Sequence, residues 1–198
     1  PNRKGFDILF DYEDVEGRWN VGLDAELLTD VVGQGTTALK SYTTGSVFGE
    51  LRINKLVGWD ERKVWISGRY GLQNTKRSGE QTFEEVDLAT RFTDFNLTAT
   101  IFGELDVIAQ YRIWQTQGDE LVAQRNEYSQ VIDYSEYSID YNESLLGAGL
   151  QYAFSEKTNL RFIWQTFAWE DEQFSAATDQ GTLPYSINTW NLFFTMKF

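Results

Sequence analysis

The side chains able to do chemistry in this 198-residue chain are guanidinium and carboxylate groups set at alternate positions of strand-like segments. Arg18, Glu50, Arg52, Arg69, Arg91, Asp106, Arg112 and Arg161 recur on the polar parity, opposite apolar residues on the other. Charged groups held at mid-strand on one face orient ions or an acidic solute when they ring a passage, because such rings set selectivity. The same groups plug a narrow interior with salt bridges when no passage is left, and both readings stand. Basic residues gather toward one end of the segments, at Arg18, Arg52, Arg91, Arg161 and Lys197, and acids such as Asp24, Glu26, Glu85 and Asp87 toward the other.

Neither histidine nor cysteine accompanies them. This excludes Ser-His and Asp-His catalysis, thiol nucleophiles, disulfides and cysteine metal sites, since no other side chain relays protons near neutral pH without a large pKa shift. No Gly-rich phosphate loop, nucleophile elbow or supported carboxylate pair appears, so neither enzyme activity nor a cofactor is expected. With 17 Lys and Arg against 30 Asp and Glu, the formal charge of -13 weighs against a nucleic-acid partner, whose phosphates require a basic surface. The acidic stretches around 119–143 and 170–179 match no calcium-loop spacing and are read as solvated, so no metal is expected. Tyr128, Tyr134, Tyr137 and Tyr141 offer stacking area and a hydroxyl for a protein or polysaccharide contact. Tyrosine is equally a residue that strands favour.

The elements that must position these groups are strands, whose successive side chains point to opposite faces. Nine segments alternate. The clearest sets Trp19, Val21, Leu23, Ala25 and Leu27 against Arg18, Asn20, Asp24 and Glu26. Others run from Phe6 to Tyr12, Val47 to Ile53, Val64 to Leu72, Val86 to Phe92, Leu97 to Ile113, Leu146 to Phe154, Leu160 to Trp164 and Trp190 to Phe198. Trp65 breaks the polar parity of the fourth. The fifth is expected to place Val86, Leu88, Thr90 and Phe92 on the apolar face with Arg91 opposite, and to turn at 93–96. Short connections at 13–16, 58–62, 93–96 and 155–158 alternate with long ones at 29–45, 74–82, 117–127 and 170–186. The stretch from Tyr128 to Tyr141 either lengthens the seventh segment or hides a further strand. No apolar run reaches the roughly 20 residues of a spanning helix, so any membrane crossing is by strands.

In the last segment Trp190, Leu192, Phe194, Met196 and Phe198 share one parity and the chain ends on Phe. A final strand of this kind resembles that of bacterial outer-membrane β-barrels, whose assembly machinery reads such an end. The resemblance rests on this strand and on the alternation along the chain. It implies an all-β fold: one transmembrane antiparallel up-and-down β-barrel domain over residues 1–198, in the outer membrane, with the C-terminus periplasmic. Membrane lipid and the barrel-assembly machinery are the implied partners. Short periplasmic turns, long outer loops and aromatic residues near strand ends fit that family. A soluble sandwich or lipocalin-like barrel competes, although charges at mid-strand occupy the face that a soluble core would make apolar.

A single-chain barrel of this class has an even strand count. Nine segments leave three arrangements: eight strands with Phe6 to Tyr12 as an extension, ten with one more inside 128–141, or the C-terminal part of a larger barrel completed by further strands or other chains. The alternation from Phe6 to Tyr12 inclines to the last. The function expected is a porin-like channel for small solutes with a charged lumen. The alternative is a structural or assembly barrel with a filled lumen, whose acidic, Tyr-rich outer loops bind a partner protein or polysaccharide.

Overall fold

A computed structural model describes residues 3–31, 39–59, 62–77, 85–155, 157–173 and 183–196. Nine strands appear: β1 (Arg3–Glu13), β2 (Trp19–Asp30), β3 (Ser41–Arg52), β4 (Val64–Arg77), β5 (Val86–Phe102), β6 (Leu105–Arg125), β7 (Val131–Ser155), β8 (Thr158–Asp171) and β9 (Tyr185–Met196). One short helix, α1 (Ile53–Val57), joins β3 to β4 and ends on Gly58 in the left-handed conformation. The strands form a single sheet in chain order, every neighbouring pair antiparallel. This is the all-β, up-and-down architecture expected.

The sheet is open. Among the described residues β1 pairs with β2 alone and β9 with β8 alone. The reason is directional. In an alternating series the first and ninth strands run the same way, so they cannot form the antiparallel ladder that every other pair uses.

One face is shielded although, among the described residues, no second layer covers it. In β2, Asn20, Asp24 and Glu26 are half-buried and Gly22 is buried, while the intervening Trp19, Val21, Leu23, Ala25 and Leu27 are exposed. The sheet's own curvature and side chains supply the shielding. Glycines admit bulky neighbours on that face: a Cβ at Gly22 would lie 2.2 Å from the Phe48 ring, and one at Gly71 the same distance from the Phe92 ring. The exposed parity carries a row in register through eight strands: Trp19, Leu51, Ile66, Leu97, Ala109, Ala148, Trp164 and Trp190.

Three sequence expectations are corrected. No turn occurs at 93–96, since β5 continues to Phe102 and reverses at Gly103. Consequently Arg91 pairs with Leu72 and joins the exposed face, whereas Phe92 pairs with Gly71 on the shielded one with Val86, Leu88 and Thr90. The stretch 117–127 is no long excursion: β6 and β7 stay paired up to Arg125 and Val131. Their tip is held by Asn126, whose Oδ1 accepts from the backbone of Tyr128 and Gln130 at 3.0 Å each. The region 128–141 is thus this tip and the upper half of β7, with no additional strand.

The tall hairpin needs glycine where β6 passes β5. Gly118 has φ +147, and a Cβ there would sit 1.9 Å from the carbonyl oxygen of Asp87. Backbone strain of that kind costs about 1–3 kcal/mol. Gly118→Ala is therefore expected to lower the unfolding temperature and to accelerate amide exchange at Asp87 and Leu88, both of which keep their rates if the position tolerates alanine.

Candidate functional site: the shielded charged face

Ion pairs cross the shielded face from strand to strand. Arg69 of β4 reaches over β3 to the carboxylate of Asp24 on β2 and donates to Ser46 Oγ at 3.0 Å on the way. Arg112 of β6 pairs with Asp94, its cross-strand partner on β5, with the guanidinium 4.9 Å from the centre of the Trp114 ring. Asp106, 6% exposed, accepts from Thr100 Oγ1 at 2.7 Å and lies 3.7 Å from Lys63 Nζ. Farther along, Asn191 donates to Gln165 at 3.2 Å, and Gln165 donates to Gln110 at 3.4 Å. That last contact passes over Gly147, where a Cβ would stand 3.3 Å from Gln165 Cγ.

A second cluster closes the short-connection end. Arg52 donates to Glu50 at 2.6 Å, to Glu13 at 2.8 Å and to the Gly17 carbonyl at 3.0 Å. Arg18 donates to Asp14 at 2.7 Å and lies 3.3 Å from Glu16. The Arg18 hydrogen bond holds the Asp14 carboxyl below its ordinary pKa, and the same bond holds the guanidinium above its own. A carboxyl depressed in the folded state stabilises it at pH above the unfolded value of about 3.9, and the contribution is lost as pH falls through the lowered folded value. Arg18→Ala is expected to return the Asp14 midpoint, followed by carboxyl NMR, to the usual carboxylate range.

The structure gathers most of the expected charged residues and separates two. Glu50, Arg52, Arg69, Asp106 and Arg112 share the shielded face. Arg161 is also there, paired with Gln151 and Phe193, and its Nε has no hydrogen-bond partner among the described residues. Arg18 stands in the connection before β2. Arg91 lies on the opposite face, lining a polar depression of about 320 Å³ with Gln115, Gln117, Asp140, Asn142 and Glu172. Asp94 and Ser46, which complete the Arg112 and Arg69 contacts, were missed by the sequence reading. Asp94 falls in the turn expected at 93–96, and only the unbroken strand reveals its parity.

Of the terminal-strand residues, Trp190, Leu192, Phe194 and Met196 are exposed on β9, while Phe198 lies outside the described residues. The four tyrosines do not form one surface. Tyr128 is at the exposed hairpin tip, Tyr134 pairs with Ala123, and Tyr137 and Tyr141 share the shielded parity with Glu120 and Thr116. Tyr141 packs against Trp169 at 5.9 Å between ring centres.

The amphipathy of the sheet reverses toward the long-connection end. In the lower part the exposed rows are apolar and the shielded row reads Asn96, Gln110, Gly147, Gln165 and Thr189. Above it the exposed row reads Arg91, Gln115, Asn142 and Glu170. The shielded side there holds Val86 at 3% exposure, the Phe92–Trp114 pair and the row Leu145, Phe167 and Ile187. Trp169 and Tyr185 stack at 5.8 Å on the same side. Over β5 to β8 the sheet thus turns from apolar to polar outward at this level, and apolar groups move inward beside the Asp94–Arg112 pair, which shares the row of Leu145. On β1 to β4 the outward row that holds Arg91 stays apolar at Ile8, Ala25 and Leu72.

Compared with protein-family models, curated proteins and solved structures, the chain matches none of them.

Proposed function

We propose that the chain is wall of an outer-membrane β-barrel acting as a porin-like channel for small solutes, with the short connections periplasmic. The reversal of amphipathy carries this reading. Lipid favours apolar side chains on the outer surface and leaves the inner one to water, whereas a strand segment standing in water takes the opposite pattern. On β6 the outward apolar residues, half-buried apart from the exposed Tyr111, run from Leu105 to Ile113, and the strand continues to Arg125. Such a row agrees with the roughly 9–11 residues that a tilted strand needs to cross a bilayer.

The shielded face supports a watery lumen rather than a packed core. Val86, Ile108 and Ile163 are the buried hydrophobic residues among those described, and the ion pairs of Arg69 and Arg112 stay partly exposed. Charged groups lining a wet passage bias which ions traverse it. The test is single-channel recording of the detergent-folded chain in a planar bilayer: stable ion-selective current supports the channel, and a folded, inserted but silent species refutes it.

The tall β6–β7 hairpin favours a second reading, a barrel with a filled lumen whose outer segments hold a partner protein or polysaccharide. Removal of residues 122–134 then abolishes partner capture and leaves the folded, heat-resistant species intact.

A further inference from the structure

The free edge of β1 shares its exposure with β9 and differs from it in its charge. Every residue from Arg3 to Glu13 is exposed on both parities, and the outer β1 row of Phe6, Ile8 and Phe10 is among the most exposed apolar stretches of the chain. Between the Arg3–Asp30 pair at one end and the Arg52–Glu13 pair at the other, the shielded parity carries uncompensated acid at Asp7 and Asp11. Asp7 lies directly opposite Glu26, an arrangement that is destabilising between like charges. Asp7, Asp11 and Glu26 have no ion pair among the described residues, in contrast to Asp24 and Asp94 farther inside the sheet.

Direction narrows what can occupy this edge. β1 starts at Arg3 beside Asp30, at the long-connection end, and finishes at Glu13 beside Asn20, at the short-connection end. β9 runs the same way, from Tyr185 beside Trp169 to Met196 beside Thr158. Two copies standing the same way up in one membrane therefore offer each other only parallel edges. An antiparallel ladder, the only kind this sheet uses, needs a strand running upward from the short-connection end.

We propose that the β1 edge takes up such an upward-running amphipathic strand, with basic side chains facing Asp7 and Asp11. Its other parity continues the apolar row of Phe6, Ile8 and Phe10. The pairing is edge addition: backbone hydrogen bonds supply affinity, and alternate side chains supply specificity. It satisfies the unpaired edge and neutralises the acidic strip in one step. Closure onto β9 then requires an odd number of added strands, since each addition reverses the direction of the free edge. The exclusion of a second copy rests on the membrane reading; the charge complementarity does not.

The test uses the 198-residue chain folded in detergent and a labelled synthetic peptide matched in length to β1. The peptide alternates Val and Tyr with Ser and carries Lys at the two positions facing Asp7 and Asp11; the control carries Asp there. The Lys peptide is expected to bind about tenfold more tightly than the Asp peptide, and Asp7→Asn with Asp11→Asn is expected to erase the difference. Because the chain contains no cysteine, Lys4→Cys supplies a single thiol for orientation. It is expected to cross-link a cysteine at the peptide's C-terminus and not one at its N-terminus. Equal affinity of the two peptides, cross-linking to the N-terminus, or disulfide-linked dimers of the chain in place of peptide adducts overturns the proposal. These readouts are taken in detergent, so they are separable from failure of the chain to enter lipid.

Discussion

Leu150→Arg is expected to weaken folding into phospholipid vesicles by about 2–4 kcal/mol, measured by urea titration. Leu150 is exposed, on β7, and it pairs with Val107 on one side and Phe162 on the other. It lies midway along the apolar row from Phe154 to Leu146. On the membrane reading a guanidinium there faces the middle of the hydrocarbon, where its desolvation is greatest. Ser138→Arg, on the same strand and parity but above the reversal, is the matched control and is expected to change folding by no more than about 0.5 kcal/mol. A sheet whose apolar face met water would give the contrary result, since exchanging a water-exposed leucine for arginine is nearly neutral. Equal, small effects at both positions would falsify the membrane reading, whatever the channel does.

Replacing Arg69 and Arg112 together by Gln is expected to raise the permeability of cations relative to anions about fivefold, a bias of about 1 kcal/mol per ion, the scale of a unit-charge contact in water. The pairs are what make the sign predictable. Asp24 and Asp94 are neutralised by these two guanidiniums, so the double replacement uncovers two carboxylates without adding charge. Arg52→Gln adds little, because Glu50 and Glu13 already outnumber it at that end. Reversal potentials under a salt gradient measure the effect. Selectivity that does not move removes these residues from the permeation path. Far-UV spectra and heat resistance establish that the doubly substituted chain still folds, since an unpaired half-buried carboxylate also destabilises.

The alternation of β2, β4 and β8 was legible because each keeps one apolar parity over the length that meets the proposed lipid. β5 was misread because its apolar residues change parity, from Val86, Leu88 and Phe92 to Phe95, Leu97 and Ile101. A phase change within a run reads as a turn when each face is assumed to have one solvent. On the membrane reading it is the trace of a strand that passes from one environment into another. The same assumption sent Arg91 to the wrong face and hid Asp94. Open edges were implicit in the odd count, whereas the reach of Arg69 over a whole strand to Asp24 depends on curvature, which no residue pattern encodes.

Strict sequential order has a kinetic meaning. Each strand pairs only with its neighbours in the chain, so every pairing closes a short loop, and loop-closure entropy grows with the length closed. Contacts between near neighbours also favour fast folding for a β protein. The β6–β7 hairpin has the longest ladder and reverses through residues 126–130, which suits it to form first and to template β5 and β8 on its two sides. Assembly then spreads outward in both directions, and β1 and β9, last to join, are the strands most readily peeled away.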